Sequence, residues 1–283
     1  MRLLEWYEPR RRRYPWRLDR DPYRVLVSEV MLQQTQAPRV VPAFEAFLAS
    51  FPDVRALASA SRGAVLTGWG SLGYNRRAAS LHAAAREIVE RHDGRVPADT
   101  VELSALPGVG PYTAAAVASI AFGQRVAAID TNVARVVSRA RLGTDAATKA
   151  EVAAAAGSWI DRRDPGGWNQ AMMDLGRDVC RSRPRCEDCP LRRSCRFRRT
   201  GAVPVTKRPR QAPFRGSFRE VRGAVMRELR SRGEVTVAAI ASASGHDAGR
   251  VAAAVQALAA EGLVEPGDSA TPGRADGSVR FLT

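Results

Sequence analysis

The sequence predicts a mainly α fold that ends in a small α/β region of winged-helix pattern, and three observations carry this. Between Pro22 and about Trp159 apolar residues recur at three- and four-residue spacing, broken at Pro38, Pro52, Gly63, Gly73, Gly94, Pro107 and Gly123. β-branched alternation is almost absent from that stretch, so no sheet is expected there. From residue 216 the pattern changes: Phe218–Arg232 reads as a helix, 234–237 as a short strand, and 238–243 and Ala248–Ala260 as two helices around a Ser-Gly-His-Asp turn. Residues 262–265 and 279–282 supply two closing strands. Between the two patterns, residues 201–215 are rich in Arg, Pro and Gly without apolar periodicity and read as a basic linker. The expected organisation is a helical body over 1–200 with a cysteine cluster at 180–195, the linker 201–215, and a winged-helix-like domain over 216–283.

With 283 residues, 45% of them apolar, the chain can bury a real core in two or three domains, which excludes a disordered or collagen-like protein. Its apolar stretch at residues 114–122, interrupted by Ser119, falls well short of the ~20 residues that span a bilayer. No charged-then-apolar leader opens the sequence, so a soluble, cytoplasmic protein without a membrane partner is expected. The net charge of +15 lies wholly in residues 1–215, where 36 basic residues face 21 acidic ones; the remainder carries 8 of each. A GC-rich coding sequence accounts for part of this, since 42 of the 44 basic residues are arginine. The location of the charge nevertheless points to a polyanionic partner, nucleic acid foremost.

Within PYRVLVSEVMLQQTQAPR, Glu29 is the only ionisable side chain between Arg24 and Arg39. Val25, Leu26 and Leu32 lie three or four residues from it on the same helix, so its carboxyl faces a packed interior. Burial without a cation raises a carboxyl pKa and makes it a proton donor near neutrality, whereas a buried arginine partner would make it structural. In LSALPGVGPYTAAAVASIAFG one helix ends near Pro107, Gly108 and Gly110 permit a tight turn, and Pro111 opens the next helix. Such a hairpin is either an ordinary helix connection or a set of free backbone N–H groups aimed at a phosphate.

Asp130 in AAIDTNVARVV starts a helix, and an N-cap role explains it by itself. Cap and catalyst are compatible, because a carboxylate fixed by backbone N–H groups stays ionised. A neutral Glu29 and an ionised Asp130 would be the two carboxyls that glycosidic cleavage uses, one as acid for the leaving group and one as anion for the sugar cation. The four cysteines, Cys180, Cys186, Cys189 and Cys195, have the spacing Cys-x5-Cys-x2-Cys-x5-Cys and suit a metal site, iron–sulfur or zinc, better than disulfides. Five arginines interleave with them, Arg181, Arg183, Arg185, Arg192 and Arg193, either as a solvated face or as a loop that meets phosphates.

With these residues in view, the chain resembles the A/G-specific adenine DNA glycosylases of the helix-hairpin-helix, iron–sulfur superfamily that also includes endonuclease III. The resemblance runs from about Tyr14 to Cys195 and rests on YPWR, SEVMLQQTQ, LGY, LPGVGPYTA, DTNVARV, NQAMMDLG and the four cysteines. It implies a helix-hairpin-helix DNA glycosylase fold, a helical barrel plus an iron–sulfur helical domain, and a 4Fe–4S cluster on Cys180, Cys186, Cys189 and Cys195. It also implies Glu29 as the acid that protonates adenine and Asp130 as the carboxylate that stabilises the sugar cation, with Tyr112 and Asn132 assisting. Gln33, Gln34 and Thr35 would enter the DNA near the flipped nucleotide, Tyr74 would wedge beside the opposite base, and the Gly108–Gly110 hairpin would hold a phosphate.

The first cysteine interval has five residues where the family usually has six. The C-terminal region does not look like the Nudix-like domain by which many of these enzymes check for 8-oxoguanine, so its partner is left open. The expected function is removal of adenine mispaired with 8-oxoguanine or guanine from double-stranded DNA, by a monomer associated with the nucleoid. The alternatives are a thymine or uracil mismatch glycosylase, an endonuclease III-like lyase, and a non-catalytic, redox-sensing DNA-binding regulator.

Overall fold

The computed structural model describes residues 2–201, 213–266 and 277–282. Most of the expected linker, with Lys207, lies outside them. Two compact units emerge. The first gathers the described residues of Met1–Val30 and Val96–Arg208, the second those of Met31–Arg95 and Pro209–Thr283. The helical body is thus split along the sequence, and the C-terminal region shares a unit with residues 31–95. No helix of the described residues is long and apolar enough to cross a membrane.

The first unit holds α1 (Arg2–Tyr7) and most of α2 (Pro22–Leu32), which runs on into the second unit's segment. The second unit continues with α3 (Ala37–Ser50), α4 (Val54–Ser59), α5 (Arg62–Gly68) and α6 (Arg76–Arg91). The chain then returns to the first unit with α7 (Thr100–Ala105), α8 (Pro111–Phe122), α9 (Thr131–Val137), α10 (Lys149–Trp159), α11 (Pro165–Asp178) and α12 (Arg196–Thr200). Caps mark many of the helix starts: Asp53, Ser61, Asp99, Asp130 and Asp164 each accept from a backbone N–H of the first turn, and Thr148 with Glu151 forms a capping box.

In the first unit, α8 is buried over most of its length, from Thr113 to Ile120. Its small residues let α11 come close: a Cβ on Gly166 would stand 2.9 Å from both the Ile120 Cα and the Ser119 carbonyl oxygen. α11 also packs on α9, where a Cβ on Gly176 would stand 2.6 Å from the Asn132 Cβ. The core around α9 and α11 includes Val133, Val136, Met172 and Leu175, and Cys180, Cys189 and Cys195 pack against it.

In the second unit, Phe47 meets Trp69 edge-on at 6.0 Å and Phe51 at 4.8 Å. Its C-terminal part runs α13 (Phe218–Arg232), β1 (Glu234–Thr236), α14 (Val237–Ser244), α15 (Ala248–Ala260), β2 (Val264–Pro266) and β3 (Ser278–Phe281). The strands form an antiparallel sheet in the order β1-β3-β2, with Val235 opposite Val279 and Val264 opposite Phe281. This order of helices and strands has the pattern of a winged helix, and it rests on α5: a Cβ on Gly63 would stand 3.3 Å from the Phe281 Cβ. Arg62 donates to the Gly262 carbonyl at 3.0 Å.

Candidate active site and cysteine cluster

α2 begins at Pro22, with Asp21 accepting from the Arg24 N–H at 2.8 Å, and carries Glu29 near its far end. Glu29 is 6% exposed, between the buried Ser28 and Val30. Burial pushes its carboxyl up to about 7, against an opposing hydrogen bond from Tyr112 and the nearby Arg17; the Asp130 charge pushes the same way as burial. Arg17 does not neutralise it. Both of its terminal nitrogens are engaged by Asp174, at 2.9 and 3.0 Å, in an ion pair whose side chains are 8% and 4% exposed. The alternative in which Glu29 is half of a buried ion pair therefore falls away.

Tyr112 stands in the first turn of α8. Its hydroxyl bonds to the Glu29 carboxyl and lies 3.7 Å from the Met173 sulfur, and burial with the two carboxyls beside it holds its proton well above the usual phenol range. Asp130 caps α9, accepting from the Asn132 N–H at 2.9 Å and the Val133 N–H at 2.7 Å. The Asn132 side-chain amide donates to its other oxygen at 2.8 Å. Three donors thus orient one carboxylate, and it lies close enough to act on the proton affinities of both Glu29 and Tyr112. The four residues implied as catalytic meet in the first unit.

Three further residues that the sequence left unassigned hold this group in place. Asn169, fully buried, accepts from the Ala128 N–H at 2.8 Å and donates to Ser119 and to the Val126 carbonyl, fixing the segment that enters Asp130. Gly176 admits the Asn132 turn against α11. Arg135 donates to the Asn132 carbonyl oxygen Oδ1 at 2.8 Å, to the Gly176 carbonyl at 2.7 Å and to the Cys180 carbonyl at 2.6 Å, which joins the Asp130 turn to the cysteine loop.

The hairpin forms between α7 and α8. Pro107 and Gly108 occupy the centre of a turn closed by the Val109 N–H on the Leu106 carbonyl at 3.1 Å, and Gly108 adopts φ +75°. Gly110 corrects the expectation: at φ −85° its backbone is ordinary, and a Cβ there would meet nothing within 4 Å. The tight turn needs Gly108 alone. Gly110 precedes α8 without a side-chain cap, so the first N–H groups of that helix have no side-chain acceptor from the cap.

Cys180, Cys186, Cys189 and Cys195 are free thiols that line one cavity with Arg139, Phe197 and Val179. Arg139 secures its wall, paired with Asp145 at 2.6 Å, stacked over Phe197 at 5.2 Å, and bonded to the Arg181 carbonyl. Among the described residues no three cysteine, histidine or carboxylate side chains close up around a single ion. The five interleaved arginines all face solvent.

In the second unit, Gln33, Gln34 and Thr35 follow α2, and Tyr74 precedes α6. Gln34 and Tyr74 both take left-handed backbone, φ 56° and 49°. Arg77 brings the two loops together: it donates to the Met31 carbonyl at 2.8 Å, the Gln33 carbonyl at 2.6 Å, the Thr35 hydroxyl at 3.1 Å and the Gly73 carbonyl at 3.2 Å. Its guanidinium stacks on Trp69 and Tyr74, each at 5.3 Å. Tyr74 is 47% exposed.

The first unit thus holds a helical hairpin, a desolvated carboxyl beside an anchored carboxylate, and a four-cysteine loop. The chain belongs to the HhH-GPD superfamily of base excision DNA repair proteins, whose sequence profile matches residues 27–162. Within that superfamily it is similar to adenine DNA glycosylases. It is 41% identical over 269 residues to the one from Mycolicibacterium smegmatis, with 93% of this chain and 91% of the relative covered. To the Homo sapiens adenine DNA glycosylase it is 43% identical over 211 residues, 69% of this chain and 38% of that protein. Among solved structures, a thermostable thymine-DNA glycosylase superposes with a TM-score of 0.66 at 29% identity, covering 70% of this chain and 94% of that one.

The raised Glu29 carboxyl makes stability depend on pH. Below an ordinary glutamate value of 4.5 the carboxyl is protonated folded and unfolded, so nothing is lost; as pH rises toward about 7 only the unfolded chain releases the proton. The folded state is then penalised by about 3 kcal/mol, the equivalent of that shift. Glu29→Gln is expected to gain about that much relative to wild type between about pH 4.5 and about pH 8. Denaturant unfolding of both proteins across this range checks it, and a constant difference would refute it.

Proposed function

We propose that this protein is a monofunctional DNA glycosylase that removes adenine mispaired with 8-oxoguanine or guanine from double-stranded DNA, working as a monomer associated with the nucleoid. The observation that carries the reading is the lone, desolvated Glu29 carboxyl, hydrogen-bonded to Tyr112 beside the anchored Asp130. A DNA-binding regulator gives no reason to bury an uncompensated acid. The similarity to adenine DNA glycosylases over 93% of the chain favours adenine over thymine or uracil.

The target nucleotide leaves the stack, since its glycosidic bond is unreachable inside the duplex. Glu29, protonated near neutrality, gives its proton to the base, and the bond between sugar and base breaks with its electron pair going to the base. Tyr112 fixes the carboxyl, while Asp130, oriented by Asn132 and two backbone N–H groups, faces the oxocarbenium-like sugar. Water then adds to the sugar carbon as its proton passes to the Glu29 carboxylate, which restores the acid and leaves free adenine and an abasic strand.

Gln33, Gln34 and Thr35 act beside the flipped nucleotide, and Tyr74 wedges beside the opposite base. Gly108 shapes the hairpin, and the bare backbone at Gly110 leaves room for a phosphate at the start of α8. The position where a lyase of this superfamily has its nucleophilic lysine is Tyr112, whose phenol forms no imine. Lys149 is exposed on α10 and belongs to none of these motifs.

The four cysteines fit a 4Fe–4S cluster. Four free thiols line one cavity, which is the donor set that the four irons of such a cluster take. Bound, the cluster would cross-link the loop that carries the five arginines and that Arg135 joins to the Asp130 turn.

Single-turnover base release from duplexes carrying A, T or U opposite G or 8-oxoguanine tests the function. Adenine alone is expected to be released, and Glu29→Gln is expected to slow release at least ~100-fold while mispaired duplex is still bound. Release of thymine or uracil, or an active Glu29→Gln protein, would overturn the reading. Anaerobically purified protein is expected to be brown with four irons per chain; a colourless protein with stoichiometric zinc would contradict the cluster.

A further inference from the structure

The winged helix has no role in the chemistry above, yet one of its arginines reaches the turn that carries Tyr74. Arg230, near the end of α13, is half-buried, and its guanidinium bridges two points of the second unit. Nε donates to the Leu66 carbonyl at 3.1 Å, near the end of α5, and Nη2 donates to the Asn75 side-chain oxygen at 2.9 Å, at the start of α6. The bridged residues bracket the turn from Trp69 to Tyr74.

Asn75 stands at the N-cap position of α6, where an asparagine oxygen ordinarily accepts from the first-turn N–H groups, but it makes no such bond there. That oxygen is given to Arg230 instead. On the other side of Tyr74, the Gly73 carbonyl accepts from Trp69 Nε1 at 3.1 Å and from Arg77 at 3.2 Å. Tyr74 itself has left-handed backbone, which a non-glycine residue keeps only when its surroundings hold it. The half-exposed ring is thus presented by a turn fixed at both ends, and one of the three fixing groups, Arg230, belongs to the C-terminal region.

We propose that Arg230 is a positioning residue that sets the Tyr74 turn through Asn75, and that the winged helix thereby tunes recognition of the base opposite the excised adenine. This rests on the reading of Tyr74 proposed above. It differs from a direct contact between an appended domain and that base, because the influence passes through a guanidinium–amide bond within the second unit.

The test uses the full-length protein and the ratio of single-turnover adenine release opposite 8-oxoguanine to that opposite guanine. Tyr74→Ala serves as the reference for a lost wedge. Arg230→Ala and Asn75→Ala are each expected to move the ratio by about threefold or more in the direction of Tyr74→Ala, and the double variant no further than either alone. Asn75→Asp, which keeps an acceptor for Arg230, is expected to retain the wild-type ratio. If Arg230→Ala does not fold, the two Asn75 variants decide. A wild-type ratio in Asn75→Ala while Tyr74→Ala shifts it would overturn the proposal, as would additive effects in the double variant. An unchanged ratio in Tyr74→Ala would overturn the reading of Tyr74, and this proposal with it.

Discussion

A single carboxyl kept from water without a cation of its own is the constraint around which the first unit is arranged. Glu29 lies on a helix whose neighbouring side chains are buried, and the one arginine near it is drawn off by Asp174. Had Arg17 been free to pair with Glu29, the acid would be ionised at neutral pH and could not give a proton. The Arg17–Asp174 pair therefore keeps a positive charge close while denying it to the acid. Tyr112 gives the carboxyl one hydrogen bond, which orients it without reversing the effect of burial.

The second carboxylate is arranged by the opposite means. Asp130 is met by three N–H donors, one from a side chain and two from the backbone of the helix it caps. That turn is in turn braced by α11: Asn169 ties down the segment before it, Gly176 lets the turn come close, and Arg135 ties it to the loop of Cys180. One environment withholds charge and the other concentrates donors, so two chemically similar side chains stand in opposite surroundings.

Much of this was legible in the sequence. Glu29 stood out because a lone ionisable residue in an apolar helix is rare, Asp130 because aspartate before a helix is a cap, and the cysteines because of their spacing. The winged-helix elements were read to within a residue or two at most ends, since Gly and Asp mark their boundaries. The bracing arginines were not legible. Among 42 arginines, the identity of Arg17, Arg77, Arg135 or Arg230 carries no sign of its partner, and Arg17 meets Asp174 across 157 residues of chain. The two discontinuous units escaped for the same reason: local periodicity says which faces are apolar, not which distant face covers them. Gly110 misled because a glycine beside a turn invites a conformational reading, while here its missing side chain leaves open space.

The central claim is that Glu29 holds its proton near neutral pH, and carboxyl NMR measures that directly. In protein labelled with carbon-13 at the glutamate carboxyl, the resonance absent from Glu29→Gln identifies the group, and its chemical shift is followed with pH. The account predicts a titration midpoint near 7, well above the ordinary value of 4.5, that rises further when Tyr112→Phe removes the hydrogen bond to the carboxyl. A midpoint at the ordinary glutamate value would contradict it.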